Sequence, residues 1–274
     1  MLCTLVVRYF VPSLRLGVLM PRQARLEEKR GGLPWGLPQD RWPLCATCSR
    51  PQSFLAQLVH HVERLDLGAP GRTLLVFQCN HDPGMCETWA GGSGANACVV
   101  LEPGEVLDGL TRVPPGTSVE TEARVIGWAA DDDGVSAEDF RCFFDDTELA
   151  NLPEEIIVRV PQVTKLGGPP AWIQGAGEAP KAPWRFALQL DCLDRFTGAA
   201  PSADEVGCTV TREVDGAFVR EEPAVKKAGA PPWIHVSDDG YHCDGANFGD
   251  AGIAYVFVRT DQPRAQVRFF WQCG

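Results

Sequence analysis

Cys45 and Cys48 form a C-x-x-C pair, and Cys79 and Cys86 follow about thirty residues later. Two thiolate pairs at that spacing point to a structural Zn2+ site, because tetrahedral zinc prefers soft sulfur ligands and a C-x-x-C turn presents two of them to one ion. The second pair encloses Asn80, His81, Asp82, Pro83, Gly84 and Met85, a longer knuckle than that of the common zinc ribbon. Within it, Asp82-Pro83-Gly84 is a turn sequence that can fold the chain back so that both sulfurs face one point. Two other readings compete with zinc: a redox C-x-x-C, and four unrelated buried thiols. The redox motif needs a strand before it and a helix starting at it, which Pro43 and Pro51 oppose. His81 is a further candidate ligand, in place of one sulfur.

The remaining chemistry-bearing residues do not assemble into a known catalytic pattern. None of the five histidines sits in H-E-x-x-H or beside a nucleophile. Strand alternation would send the rings of His60 and His61 to opposite faces. Gly91-Gly92-Ser93-Gly94-Ala95 lacks the final glycine of a nucleophile elbow and reads as a flexible loop. No phosphate-binding glycine motif occurs. Asp131-Asp132-Asp133-Gly134 lacks the alternation of a calcium loop and reads as a solvated turn. His242-Cys243-Asp244, within a polar stretch from Ser237, is the one cluster left for a weak metal or acid/base site, against the alternative of a polar connection.

These residues are to be positioned by strands. Short apolar or alternating runs are cut by 28 glycines and 22 prolines, too often for long helices. Val119 to Ile126 alternates clearly, Ile156 to Val160 reads as another strand, and Ser136 could cap a short helix. The chain also looks duplicated. Gly31-Gly32-Leu33-Pro34-Trp35 is echoed by Gly167-Gly168-Pro169-Pro170-Ala171-Trp172, and Phe54-Leu55-Ala56-Gln57-Leu58 by Phe186-Ala187-Leu188-Gln189-Leu190. The apolar runs Leu74 to Cys79 and Ala254 to Val258 complete each half. Only the first copy carries C-x-x-C, so only it should hold metal.

Composition bounds the rest. A chain of 274 residues with 45% hydrophobic content buries a full core. Eleven cysteines without a pairing rhythm fit reduced thiols and a cytoplasmic location. The apolar stretch Leu2 to Leu19 is interrupted by Arg8, Pro12 and Arg15, which opposes a membrane span and leaves a buried strand or an upstream extension. A formal charge of −11 opposes nucleic-acid binding and favours a basic protein client, although solubility explains it equally.

The ordered series Thr164 to Gln174, Leu188-Gln189-Leu190-Asp191 and Phe248-Gly249-Asp250-Ala251-Gly252 resembles the YwqG family of bacterial proteins. The first half is similar to the programmed-cell-death-2 proteins of eukaryotes through Gly31-Gly32, Pro34-Trp35, Cys45, Cys48, Arg50-Pro51, Phe54-Leu55, Gln57 and Cys79 to Cys86. Together with TRUS these form one superfamily. The resemblance covers about Arg25 to Gly274, with two departures: the spacing before Trp35, and the segment 101–159, which matches nothing nameable. It implies a duplicated, β-rich α+β fold, with dedicated chaperones of a small-subunit ribosomal protein among the eukaryotic members and toxin or immunity gene neighbourhoods among the bacterial ones. Catalysis is not an established property of the family.

The resulting expectation is an α+β, β-rich chain: a tandem duplication of a mostly antiparallel β unit, with zinc knuckles in the first copy only. Residues 1–24 are an extension, 25–100 the first repeat with the zinc site, 101–160 a connecting region and 161–274 the second repeat. Cys45, Cys48, Cys79 and Cys86 are the expected metal ligands. Trp35 and Trp172 are candidate protein-binding anchors, since Trp is favoured at binding hot spots, or else core residues. The expected function is a non-enzymatic, zinc-stabilised adaptor or chaperone for a basic client, with no nucleic acid or membrane partner. The alternatives are an immunity-type protein that neutralises a toxin, or an enzyme with a site near His242-Cys243-Asp244.

Overall fold

The computed structural model describes residues 6–82 and 85–274. Pro83 and Gly84 of the expected turn, and residues 2–5 of the N-terminal apolar run, lie outside them. The first seven strands are β1 (Val6–Leu16), β2 (Lys29–Arg30), β3 (Ser53–Val59), β4 (Thr73–Gln78), β5 (Asn96–Leu101), β6 (Ala123–Ser136) and β7 (Lys165–Gly167). The remainder are β8 (Arg185–Asp191), β9 (Leu193–Phe196), β10 (Thr209–Val214), β11 (Ala217–Glu221), β12 (Trp233–Ser237), β13 (Gly240–Asp244), β14 (Ile253–Arg259) and β15 (Gln266–Gln272). Among the described residues, four α-helices of four or five residues accompany them: α1 (Asp139–Cys142), α2 (Asp146–Ala150), α3 (Glu154–Ile157) and α4 (Ala203–Val206). The chain is β-rich α+β, as its glycine and proline spacing predicts.

Ten strands form one antiparallel sheet in the order β15-β14-β8-β7-β1-β6-β2-β3-β4-β5. The order is symmetric about the β1–β6 junction. On one side, β6 leads into β2, β3, β4 and β5; on the other, β1 leads into β7, β8, β14 and β15. The duplicated segments seen in sequence fall on corresponding strands: β3 with β8, and β4 with β14. The second copy differs by an insertion between β8 and β14, which builds a five-stranded sheet in the order β11-β10-β12-β13-β9.

Each leading strand sits in the opposite half from the strands that follow it in the chain. β1 precedes β2 in sequence but pairs with β7, and β6 precedes β7 but pairs with β2. Residues 6–16 are therefore not an extension; they form a central strand of the large sheet. The charges that obscured this are harmless, because Arg8 and Arg15 are both exposed. Pro12 is tolerated because β7 meets β1 only at Tyr9 and Phe10, so Pro12 lies where β1 has a single neighbour. The connecting region 101–160 likewise contributes the other central strand.

Three local expectations are corrected. Residues 119–122 precede β6 instead of beginning it, since their backbone is engaged by a glycine turn: Gly32 N–H donates to Glu120 O at 2.9 Å. Gly31 has φ 58°, and a Cβ there would collide with the Thr121 carbonyl. The acidic run Asp131 to Gly134 belongs to the far end of β6, beside a register shift opposite Val6 and Arg8. Ile156 starts no strand, because Pro153 precedes α3 with φ −55° and Glu154 and Glu155 occupy its first turn, where carboxylates favour a helix start. Ser136 ends β6 and is not the N-cap of α1, which is Glu138, but its Oγ still accepts the Asp139 N–H at 3.0 Å at the helix entry.

The sheet curls until β5 and β15 approach each other. Its inner face buries Leu55, Leu74 and Val76 from one half against Leu188, Ala254 and Val256 from the other. Its outer face carries Phe54, Leu75 and Phe77 under Trp42 and Leu37 on the first half. On the second half, Tyr255, Phe257 and Phe270 lie beneath Phe143 and Trp172. The inserted sheet packs Val210, Ile234 and Cys243 onto Leu14 and Leu16.

Candidate metal centre

The two cysteine pairs leave the first half from adjacent connections. Cys45 and Cys48 lie between β2 and β3, and Cys79 and Cys86 lie between β4 and β5; because β3 and β4 are paired neighbours, the two connections meet. The first knuckle is closed by Cys45 N–H donating to Arg50 O and Ser49 N–H donating to Cys45 O, both at 2.8 Å. Ser49 takes the left-handed φ of 60° that the reversal requires. In the second knuckle, Cys79 N–H donates to Ala95 O at 2.8 Å, and the N–H groups of Met85 and Cys86 share Asp82 O at 3.2 and 3.1 Å. The knuckles are tied together by Ala46 N–H donating to Gly94 O at 2.9 Å and by Gln52 Nε2 donating to the same carbonyl at 3.0 Å.

The four Sγ atoms all lie within 4.8 Å of one another, and Cys48 Sγ is 3.6 Å from Cys79 Sγ. Tetrahedral coordination with metal–sulfur bonds near ~2.3 Å places sulfurs about 3.8 Å apart, so the cluster has the size such a site needs. Cys45, Cys79 and Cys86 are 1% exposed, and with Ala95 they form a small cluster of their own. Four sulfurs converging on one point exclude scattered thiols. No helix starts at the C-x-x-C turn, as a redox motif would require, and all ten described cysteines are free. The cluster can hold a metal ion.

The electrostatics prepare the first knuckle for that role. Burial pushes the Cys45 thiol up, but the N–H groups of Cys48 and Thr47 and the neighbouring sulfurs outweigh it and bring the group down to about 7. Cys79 and Cys86 are both raised, chiefly by burial. A divalent cation removes that penalty, because it binds the deprotonated sulfurs and supplies the missing charge.

The other candidate residues lie elsewhere. His81 is exposed, and its Nδ1 faces Arg50 Nη1 at 3.1 Å. Trp35 is 7% exposed, and its backbone N–H donates to Gln57 Oε1 at 2.8 Å. Trp172 stacks 6.2 Å from Phe270 and donates its Nε1 hydrogen to Phe143 O at 2.6 Å. Trp35 is a core residue, whereas Trp172 is half-buried against the aromatic cluster and lines a separate cavity with Leu149, Val158 and Pro170. His242, Cys243 and Asp244 are dispersed along β13: Cys243 enters the core of the inserted sheet, and the His242 ring lies 5.2 Å from that of His235, tilted by 40°, on the opposite face.

Sequence reading missed a cleft beside the metal centre. A cavity of about 970 Å3 is lined by residues including Asn80, Glu120, Asp191 and Asp244. Two sequence signals touch it, Asn80 directly after Cys79 and Asp244 of the His242-Cys243-Asp244 cluster; Glu120 and Asp191 come from distant segments. Among the described residues, no helix is long and apolar enough to cross a membrane. No family model matches the chain, and no curated protein matches it either.

Proposed function

We propose that the chain is a non-enzymatic protein-binding module, an adaptor or chaperone for a basic client, whose first half is stabilised by structural zinc bound to Cys45, Cys48, Cys79 and Cys86. The observation that carries this reading is the four-sulfur cluster. An all-cysteine set fills the tetrahedron and leaves no open position for substrate, which is the arrangement of structural rather than catalytic zinc. Zinc binding in small Cys-ligated sites contributes about 10–16 kcal/mol, as much as the ~5–15 kcal/mol that holds a whole domain. One ion is therefore enough to fix the two knuckles.

The dispersal of His242, Cys243 and Asp244 removes support from the enzyme reading. The net charge of −11 supports a basic partner, since opposite charge speeds encounter and like charge rejects wrong partners. The likeness to the YwqG and programmed-cell-death-2 proteins supports the same class. The test is affinity purification of the full chain from its native cells at low salt, with proteins identified by mass spectrometry. A recurrent basic protein in stoichiometric amount is expected, and its absence overturns the client reading.

A further inference from the structure

The 970 Å3 cleft opens where the two halves of the large sheet meet the inserted sheet, and its polar lining includes Asn80, Glu120, Asp191, Arg195, Asp244 and Asn247. Three carboxylates and one guanidinium share this lining. Arg195 Nε lies 3.1 Å from Asp191 Oδ2, and Asp191 Oδ1 accepts the Leu193 N–H at 3.2 Å, so this pair satisfies itself. Glu120 has one hydrogen bond among the described residues, from Asn80 Nδ2 at 2.6 Å. Asp244 makes no side-chain hydrogen bond or ion pair among them. Arg30 acts on Glu120 from behind the lining, but its guanidinium is already held by Asp194 at 2.7 Å, so Glu120 and Asp244 have no ion-pair partner of their own among the described residues.

Its shape and apolar surface narrow the class of ligand. Val119, 49% exposed, shares the lining with Leu193 and Pro232, giving the cleft an apolar wall beside the two acids. A long cationic side chain uses both, laying its methylenes on the wall and its charged head between carboxylates. Burial pushes the Glu120 carboxyl up against the donation from Asn80, so an arriving cation would relieve a cost already present.

The metal centre braces this wall. Gln78 Nε2 donates to Asn80 Oδ1 at 3.1 Å and to Asn247 O at 2.7 Å, linking the segment around Cys79 to both sides of the cleft. From this we infer that the basic client enters here: a lysine or arginine side chain of an extended segment sits between Glu120 and Asp244. The inference rests on the protein-binding reading above and gives it a location.

The experiment titrates the full-length, metal-loaded chain into a fluorescein-labelled twelve-residue peptide of alternating lysine and alanine, with the glutamate–alanine peptide and free lysine alongside. Saturable binding of the lysine peptide is expected, with neither control binding comparably. The double variant Glu120→Gln with Asp244→Asn should weaken it at least about tenfold, while the equally neutralised pair Glu154→Gln with Glu155→Gln on α3 leaves it within twofold. Circular dichroism and metal content report whether each variant is folded. No saturable binding, equal weakening by the two pairs, or free lysine binding as tightly as the peptide overturns the inference. If the affinity-purified client is retained by the cleft double variant, the location fails and the client reading survives; if no client is found, the client reading fails whatever the peptide does.

Discussion

Gln57 and Gln189 occupy corresponding positions in the two halves and make matching hydrogen bonds. Gln57 Oε1 accepts Trp35 N–H at 2.8 Å and its Nε2 donates to Glu27 O at 2.9 Å; Gln189 Oε1 accepts Ala171 N–H at 2.9 Å and its Nε2 donates to Val163 O at 2.7 Å. Both side chains are fully buried. Each staples the segment carrying the paired glycines to the next strand. Replacing either with alanine leaves a cavity and strands a buried N–H and C=O, at a cost of about 3 kcal/mol or more. Urea unfolding of Gln57→Ala and Gln189→Ala should show comparable losses; a change under about 1 kcal/mol in either would contradict the staple role.

Metal removal should be felt mainly in the first half. Elemental analysis of protein purified without chelator is expected to find about one zinc per chain, lost in Cys45→Ser and Cys79→Ser. The melting temperature should fall by roughly 10 °C or more on either substitution. Stability that is unchanged in a metal-free preparation would refute a structural ion.

Lys165 is fully buried, its Nζ 4.8 Å from the centre of the Tyr9 ring and without a hydrogen-bond partner among the described residues. Its counterpart Lys29 instead donates to Gln23 and Glu122, at 2.6 and 2.9 Å. Burial lowers Lys165 to about 8, with Asp133 partly opposing the shift. Between about pH 8 and 10.5 the unfolded chain holds a proton that the folded chain has released, so this group makes stability rise with pH across that window. The Lys165→Met variant should lack this rise and be more stable than the parent at pH 7 by on the order of 2 kcal/mol. Identical pH profiles of denaturant midpoint for the two proteins would rule out a buried cation.

A chain beginning at Gly17 tests the place of β1. Because β1 lies between β6 and β7, its loss exposes the long edge of β6 and separates the two halves of the sheet. Such a protein should unfold without a cooperative transition and aggregate on size-exclusion chromatography. A monomer with the parent's melting temperature would show β1 to be dispensable.

The four-cysteine cluster was readable because four identical, rare side chains announce themselves by spacing, and the repeat was readable because Phe54 to Leu58 and Phe186 to Leu190 keep the same pattern. Partnership between distant strands left no such trace. β1 pairs with β7 through backbone groups that any sequence possesses, and the β1 residues alternate only weakly because the half-buried Phe10, Val11 and Pro12 interrupt the pattern. Aligning the two copies by their tryptophans also misled: the hydrogen bonds of Gln57 and Gln189 set Trp35 against Ala171, and leave Trp172 one position beyond. The cleft was invisible for a related reason, since Glu120, Asp191 and Asp244 are far apart in sequence and meet only through the sheet order.

The exchange of leading strands also sets an order of events during synthesis. β1 leaves the ribosome first, yet its partners begin at Ala123 and Lys165, so it must wait unpaired for more than a hundred residues. The first copy can close only when β6, the opening strand of the second, has been made. While it waits, β1 is free to pair with the β7 of a neighbouring chain. Crowded nascent chains should therefore trade these strands between molecules, and a low concentration during refolding should favour the monomer.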